Sequence, residues 1–325
     1  MLELLKSLCG AFGVSGREDE IRDLISDLCA DYCDEMTCDG LGNLIVHKKG
    51  EGPKLMLAAH MDQIGFIATS TDDNGFVRFA PVGGLSVLDC VHRAVVFENG
   101  VRGVVCSEEK VKRAELKLAD FYIDIGANDK RAADKPVKIG DCARYDEEIK
   151  EVQGGYFGPY MDDRAGCAVL ISALKRIKKS AYDLYFVFTV QEEVGLRGAR
   201  TSAYLIEPDY AVAVDVTDTG DTPNCPDMAV KLGKGPCVKI KDGGIISHRE
   251  VIGLINGAAK KAGVKVQNEI LVSGSTDAGA IHTSRGGVKS GGLSIATRYV
   301  HSPAEHVSAG DLDDAVSLLC ALIEG

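Results

Sequence analysis

The chain has 325 residues, longer than one ordinary domain and apolar enough for a substantial core plus a second module, so two domains are expected. Its net charge of −11 argues against nucleic acid or anionic membrane surfaces as partners, because both are held mainly through excess lysine and arginine. The opening Met1-Leu2-Glu3-Leu4-Leu5-Lys6 is too acidic and too soon interrupted for a secretory leader, and no stretch offers roughly 18 continuous apolar residues, which points to the cytoplasm. Eleven cysteines, spread from Cys9 to Cys320 without C-x-x-C pairs, read as reduced, buried thiols, and the cluster Cys29, Cys33 and Cys38 as small fillers of a helix face.

In chain order, Ile21, Leu24, Ile25, Leu28, Cys29 and Tyr32 recur at the spacing of one helical face, which predicts a helix packed on a sheet. Strand signals follow at 44–47 and 54–59. From 65 to 150 the texture changes to short β-type runs broken by turns, with Asn74-Gly75 and Asn99-Gly100 each between two such runs, so a small all-β insertion, barrel-like, is expected. Helical periodicity returns after Asp162-Asp163 at Cys167, Leu170, Ile171, Leu174 and Ile177, and a strand starts at Asp183. Ser247 and Glu250 stand in capping-box spacing before the stripe Val251, Leu254, Ile255, Ala258, Ala259 and Ala262. A last helix carries Leu312, Ala315, Val316, Leu319, Cys320 and Ile323 on one face. The reading is an α/β fold: a mostly parallel sheet flanked by helices, formed by residues 1–62 and 153–325 and interrupted by a β-rich, barrel-like domain at 63–152.

Three apolar segments run straight into side chains that bind divalent metals. Leu55-Met56-Leu57-Ala58-Ala59 ends on His60 and Asp62, residues 184–190 lead to Glu192-Glu193, and 210–214 end on Asp215. A strand buried on both faces reads as such a run, and ligands at several strand carboxyl ends meet in one crevice of an open α/β sheet, which predicts a metal site. Imidazole and carboxylate together suit zinc, cobalt or manganese. Asp62, two residues beyond His60, has the spacing to orient that imidazole. Adjacent Glu192 and Glu193 fit either a plain surface loop or a division of labour in which one binds metal and the other takes a proton from metal-activated water. Asp162-Asp163 allows a similar division, or a simple helix cap. Asp215, flanked by apolar strand residues, needs a partner, and a cation is the economical one. His301 follows the run Leu293-Ser294-Ile295 and can reach the same crevice, whereas His47, His92, His248, His282 and His306 read as surface or packing residues.

The ordered blocks His60-Met61-Asp62, Asp162-Asp163-Arg164-Ala165-Gly166, Gln191-Glu192-Glu193-Val194-Gly195, Val214-Asp215-Val216-Thr217 and Arg298-Tyr299-Val300-His301-Ser302 resemble the tetrahedral, glutamyl-aminopeptidase-like family of cocatalytic metallopeptidases. Gly13-Val14-Ser15-Gly16 and Ser275-Thr276-Asp277-Ala278-Gly279 look like signatures of the same family, so the match spans nearly the whole chain. The resemblance implies two divalent ions, usually zinc or cobalt, with Asp162 bridging them, His60 and Asp215 on one, Glu193 and His301 on the other. It also implies Glu192 as general base, Asp62 as the residue that fixes His60, and Asp163 as a supporting residue. The activity implied is removal of single N-terminal residues from short peptides, by homodimers formed through the inserted domain and assembled into homododecamers. Three positions depart from the family pattern: Gln63 where Glu is expected, which bears on amine recognition, Asp218 where His is common, and Ser275 where Gly is usual. The nearest rival is a metal-dependent deacylase of N-acyl amino acids, followed by a non-catalytic shell-forming homologue. A metal-free two-carboxylate glycosidase leaves His60 and His301 unexplained.

Overall fold

Alternate side chains of the strand Lys54–His60 serve two separate cores. Leu55, Leu57 and Ala59 join one apolar cluster, while Met56 and Ala58 join another on the opposite face of the sheet. Each large aliphatic side chain buried in this way contributes roughly 1.5–3 kcal/mol, which is why the strand reads as unbroken apolar sequence. The computed structural model describes residues 1–225 and 227–325.

Lys54–His60 lies between Asp183–Thr189 and Tyr210–Thr217, and the latter pairs with Lys289–Arg298; these four strands are mutually parallel. The sheet continues outward through Leu44–Lys48 and Glu35–Cys38 on one side, and through Glu305–Ser308, Gly155–Gly158 and Lys150–Val152 on the other. Those margins are antiparallel, as is the pairing of Cys237–Lys241 with Lys289–Arg298, whereas Cys237–Lys241 pairs in parallel with Gln267–Ile270, so the sheet is mixed around a parallel centre. Short connections account for three of these pairs, Glu35–Cys38 with Leu44–Lys48, Lys150–Val152 with Gly155–Gly158, and Lys289–Arg298 with Glu305–Ser308. Met161–Arg176, Ala309–Ile323 and Leu2–Gly10 pack together over one face. Arg197–Ile206 and the short Ala278–Ile281 cover the other. The helix read from Ile21 to Tyr32 is Asp19–Cys29 followed by a 3₁₀ turn at Ala30–Tyr32.

The β-rich segment closes into a six-stranded barrel in the order Gly65–Thr71, Val77–Val82, Phe121–Asp124, Arg102–Ser107, Ala94–Phe97 and Cys142–Tyr145. Phe66 meets Phe79 and Tyr145 edge-to-face at 5.0 and 5.3 Å in its interior. Both expected hairpins form, and Asp72 tightens the first by accepting the backbone N–H groups of Asn74 and Phe76. No helix is long and apolar enough to cross a membrane among the described residues.

Two local expectations differ from the fold. The helix expected to open on a Ser247–Glu250 capping box starts one residue later, at Arg249, with the His248 imidazole accepting the N–H of Glu250 at 3.3 Å. Ser247 is instead buried, facing away from the helix end. Of the three clustered cysteines only Cys29 fills a helix face; Cys33 is half-buried and Cys38 exposed at the end of an edge strand, because the helix has ended before either is reached. All eleven thiols are free.

Candidate metal centre

The carboxyl ends of the four parallel strands open on one cavity of about 590 Å³, lined by His60, Asp162, Glu192, Glu193, Asp215 and His301 among others. Each side chain arrives by a different route. His60 is the last residue of its strand and Asp215 lies near the end of its own. Glu192 and Glu193 follow Thr189 by a short turn, and His301 follows the strand Lys289–Arg298 in a left-handed conformation with φ 64°. Asp162 precedes the regular part of the helix Met161–Arg176, for it and Asp163 both have non-helical torsions.

Asp162 is the centre of the cluster. Its Oδ1 is 3.0 Å from His60 Nε2 and its Oδ2 is 3.2 Å from His301 Nε2. Asp215 Oδ1 lies 3.8 Å from the same His60 nitrogen, and Glu193 Oε2 is 3.1 Å from the same His301 nitrogen. Two groups of potential ligand atoms result, His60, Asp162 and Asp215 in one and Asp162, Glu193 and His301 in the other, each within 4.8 Å of one another. The shared carboxylate is therefore presented one oxygen to each side.

The electrostatics are those of a pocket with more anions than it can keep unaided. Burial, reinforced by Asp162 and Asp277, pushes the Asp215 carboxyl up to about 8. Burial also raises Glu193, and raises Glu192 well above the ordinary glutamate range, with neighbouring carboxylates adding to the effect. Burial lowers both imidazoles, but hydrogen bonding to Asp162 together with Asp62 or Glu193 outweighs it, lifting His301 to about 12 and His60 above its ordinary value. Glu193 Oε1 is buried without a hydrogen-bond partner. An orphaned carboxylate oxygen beside two imidazoles and two further carboxylates is a donor set that divalent cations fit.

Surrounding groups hold this set in place. Asp62 lies behind Glu192 and Glu193: it accepts their backbone N–H groups at 2.9 and 3.2 Å and the Ser15 hydroxyl at 2.6 Å. Its carboxylate is 3.5 Å from His60 Nδ1, and its backbone carbonyl is nearer at 3.2 Å. Asp163 faces away from the cavity and accepts the N–H groups of His60 and Gly166. Glu305 was not singled out from sequence. Fully enclosed, it accepts the N–H of Asp162 through one oxygen at 3.0 Å and that of His301 through the other at 2.7 Å, tying two distant segments together. Asp277, inside the Ser275-Thr276-Asp277 motif, accepts the Thr189 hydroxyl, and burial raises its carboxyl to about 6. The turn Gly83-Gly84 was also missed. It leaves the barrel to touch the site, and a Cβ on Gly84 would stand 2.6 Å from His301 Nδ1.

The departures from the family pattern fall in different places. Gln63 is buried and does not line the cavity; its side-chain oxygen accepts from Arg164 Nη2 at 2.7 Å. Asp218 and Ser275 both line the cavity. His47 stacks on Tyr185 with ring centroids 4.2 Å apart, a packing role.

Residues 42–318 match the family described as M42 glutamyl aminopeptidase. A protein of Acetivibrio thermocellus, provisionally named an aminopeptidase, is 49% identical over 324 residues, covering 99% of this chain and 98% of that protein. The lysyl aminopeptidase of Pyrococcus furiosus is 34% identical over 336 residues, with 99% and 96% covered. Among solved structures, the TET1 peptidase of Pyrococcus horikoshii, described as able to assemble into a tetrahedron or a large octahedral shell, superposes with a TM-score of 0.90 at 33% identity, covering 99% of this chain and 98% of that one.

Proposed function

Since the chain belongs to the M42 glutamyl aminopeptidase family and is thereby a metal-dependent aminopeptidase, we propose that it removes single N-terminal residues from short peptides with two metal ions and a glutamate base. The observation that carries this reading is the shared Asp162, whose two oxygens face two separate imidazole-carboxylate pairs.

His60 and Asp215 would hold one ion and Glu193 and His301 the other, with Asp162 shared between the two groups. Zinc or cobalt, with manganese as a third choice, would supply Lewis-acid polarisation of the scissile carbonyl and a lowered pKa for the attacking water when bound there. Glu192 supplies the proton transfer. It is half-buried in the cavity wall, and its raised pKa suits a group that accepts a proton from the attacking water and passes it to the leaving amine. Asp62 fixes the direction of that carboxylate, because it grips the backbone of Glu192 and Glu193 together. Asp163 and Glu305 hold the ligand segments from behind.

In the intact protein, residues 63–152 form the dimerisation domain, and dimers build a cytoplasmic homododecamer whose interior admits only short peptides. The shell-forming TET1 relative supports this assembly. The test is a panel of aminoacyl-p-nitroanilides with their N-acetylated counterparts, given to zinc- or cobalt-loaded protein. Cleavage confined to the free-amine compounds is expected. Cleavage of the N-acetylated set alone would make the protein a deacylase and overturn the reading.

A further inference from the structure

Beside the cavity that holds the candidate ligands lies a second one of about 340 Å³, and the two are continuous through Asp218, Leu271 and Ser273, which line both. Its charges are unbalanced. Arg298 is the only lysine or arginine among the described lining residues, and it is already spent: its Nε and Nη2 donate to the two oxygens of Asp221 at 2.9 and 2.8 Å. Asp218 and Asp227 have no salt-bridge partner among the described residues. On the metal side, two divalent cations would offset the four cavity-lining carboxylates of Asp162, Glu192, Glu193 and Asp215 when bound. The remaining field in the second cavity is therefore negative. Its other walls mix the hydroxyls of Thr219, Thr222 and Ser273 with Met228, Ile270 and Leu271, which can cover a methylene stem.

We propose that this second cavity receives the side chain of the substrate's N-terminal residue and selects lysine or arginine, with Asp218 and Asp227 as the specificity-determining carboxylates. The assignment rests on the aminopeptidase reading above and adds the substrate class to it. A cationic side chain matches both features of the cavity, a long apolar stem and a charged end; an acidic one meets two carboxylates with no free cation to receive it. Asp218, a departure from the family pattern, stands at the junction of the two cavities.

The experiment measures kcat/KM for lysyl-, arginyl-, leucyl- and glutamyl-p-nitroanilide on the metal-loaded oligomer at low and high ionic strength. The basic substrates should exceed the glutamyl compound by about tenfold or more, with the advantage shrinking in salt. In Asp218→Asn the lysyl-to-leucyl ratio should fall about tenfold, and Asp227→Asn should move it in the same direction. A glutamyl substrate cleaved as well as the lysyl one, or an Asp218→Asn ratio that does not move because all substrates decline together, overturns the proposal. Calorimetric titration with L-lysinamide and L-leucinamide separates it from the reading beneath it. If no free-amine substrate is turned over, the aminopeptidase reading fails, yet tighter lysinamide binding still sustains the subsite; equal or weaker binding overturns it.

Discussion

Glu192 and Glu193 are neighbours in sequence that line the same cavity, and the proposed division of their work rests on how each is held. Glu193 is fixed to His301 within the second ligand group, whereas Glu192 lines the cavity and belongs to neither group. Glu192→Gln is therefore expected to keep both ions, measured by elemental analysis, and to lose about 10²–10⁴ in kcat; normal turnover at normal metal content would remove it from the role of base. A second residue-scale consequence concerns Glu18, which burial raises to about 7 even though Gly16 and Gln191 donate backbone N–H groups to it. Its folded form holds a proton more tightly than the unfolded chain, whose value is near 4.5, so stability present below pH 4.5 is lost as pH rises toward 7. Glu18→Gln keeps the acceptor oxygen and abolishes the penalty, on the order of 3 kcal/mol. The melting temperature should rise by a few degrees at pH 8 and by much less at pH 5; an equal rise at both would mean that charge is not the cause. Neither Glu18 nor Glu305 was visible in sequence, because each matters through backbone N–H groups that only the fold brings to it, from 173 and 143 residues away at the farthest.

At the scale of elements, the legible parts were those with a period. The unbroken apolar strands announced themselves because both faces are buried, and their ends located His60, Glu193 and Asp215 correctly at the mouth of the sheet. The barrel hairpins were legible through Asn-Gly turns. The Ser247–Glu250 pattern misled because capping sequence specifies a helix start only to within a residue, and here the exposed His248 takes the cap while Ser247 turns inward. The Gly83-Gly84 turn carries no periodic signal at all, and its importance comes from where the barrel sets it. Gly84 lies against the His301 ring, so Gly84→Ala places a methyl within 2.6 Å of Nδ1 and within 3.0 Å of Cε1. The imidazole must yield. The variant should retain the circular dichroism of the native fold but bind its second ion about 10- to 100-fold more weakly in a chelator competition titration. Unchanged affinity for both ions would show that His301 shifts without leaving the ligand geometry, and that the barrel has no hold on the metal centre.

For the whole molecule, the same convergence that creates the site also stores a cost. Asp62, Asp162, Asp163, Asp215, Asp277 and Glu305 are all buried, with Glu192 and Glu193 beside them, and the closest basic groups within the cluster are the two imidazoles. Like charges gathered in low dielectric oppose folding unless cations balance them. Because these side chains come from the first strand of the centre, the helix that follows the barrel, and three later strand ends, unfolding any one segment disperses the ligands. Ion binding should therefore act on the cooperative stability of the entire α/β body. An ion held at 100 to 1,000 times its dissociation constant stabilises by about 2.7–4.1 kcal/mol. Chelation at pH 7.5 should accordingly lower the calorimetric melting temperature by several degrees, and stoichiometric zinc or cobalt should restore it. The loss should shrink toward pH 5, where protons take over part of the balancing on carboxyls whose values burial has raised, Asp215 and Asp277 among them. A melting temperature indifferent to chelator across that range would mean that the buried carboxylates are balanced from within the chain and that no resident ions are needed.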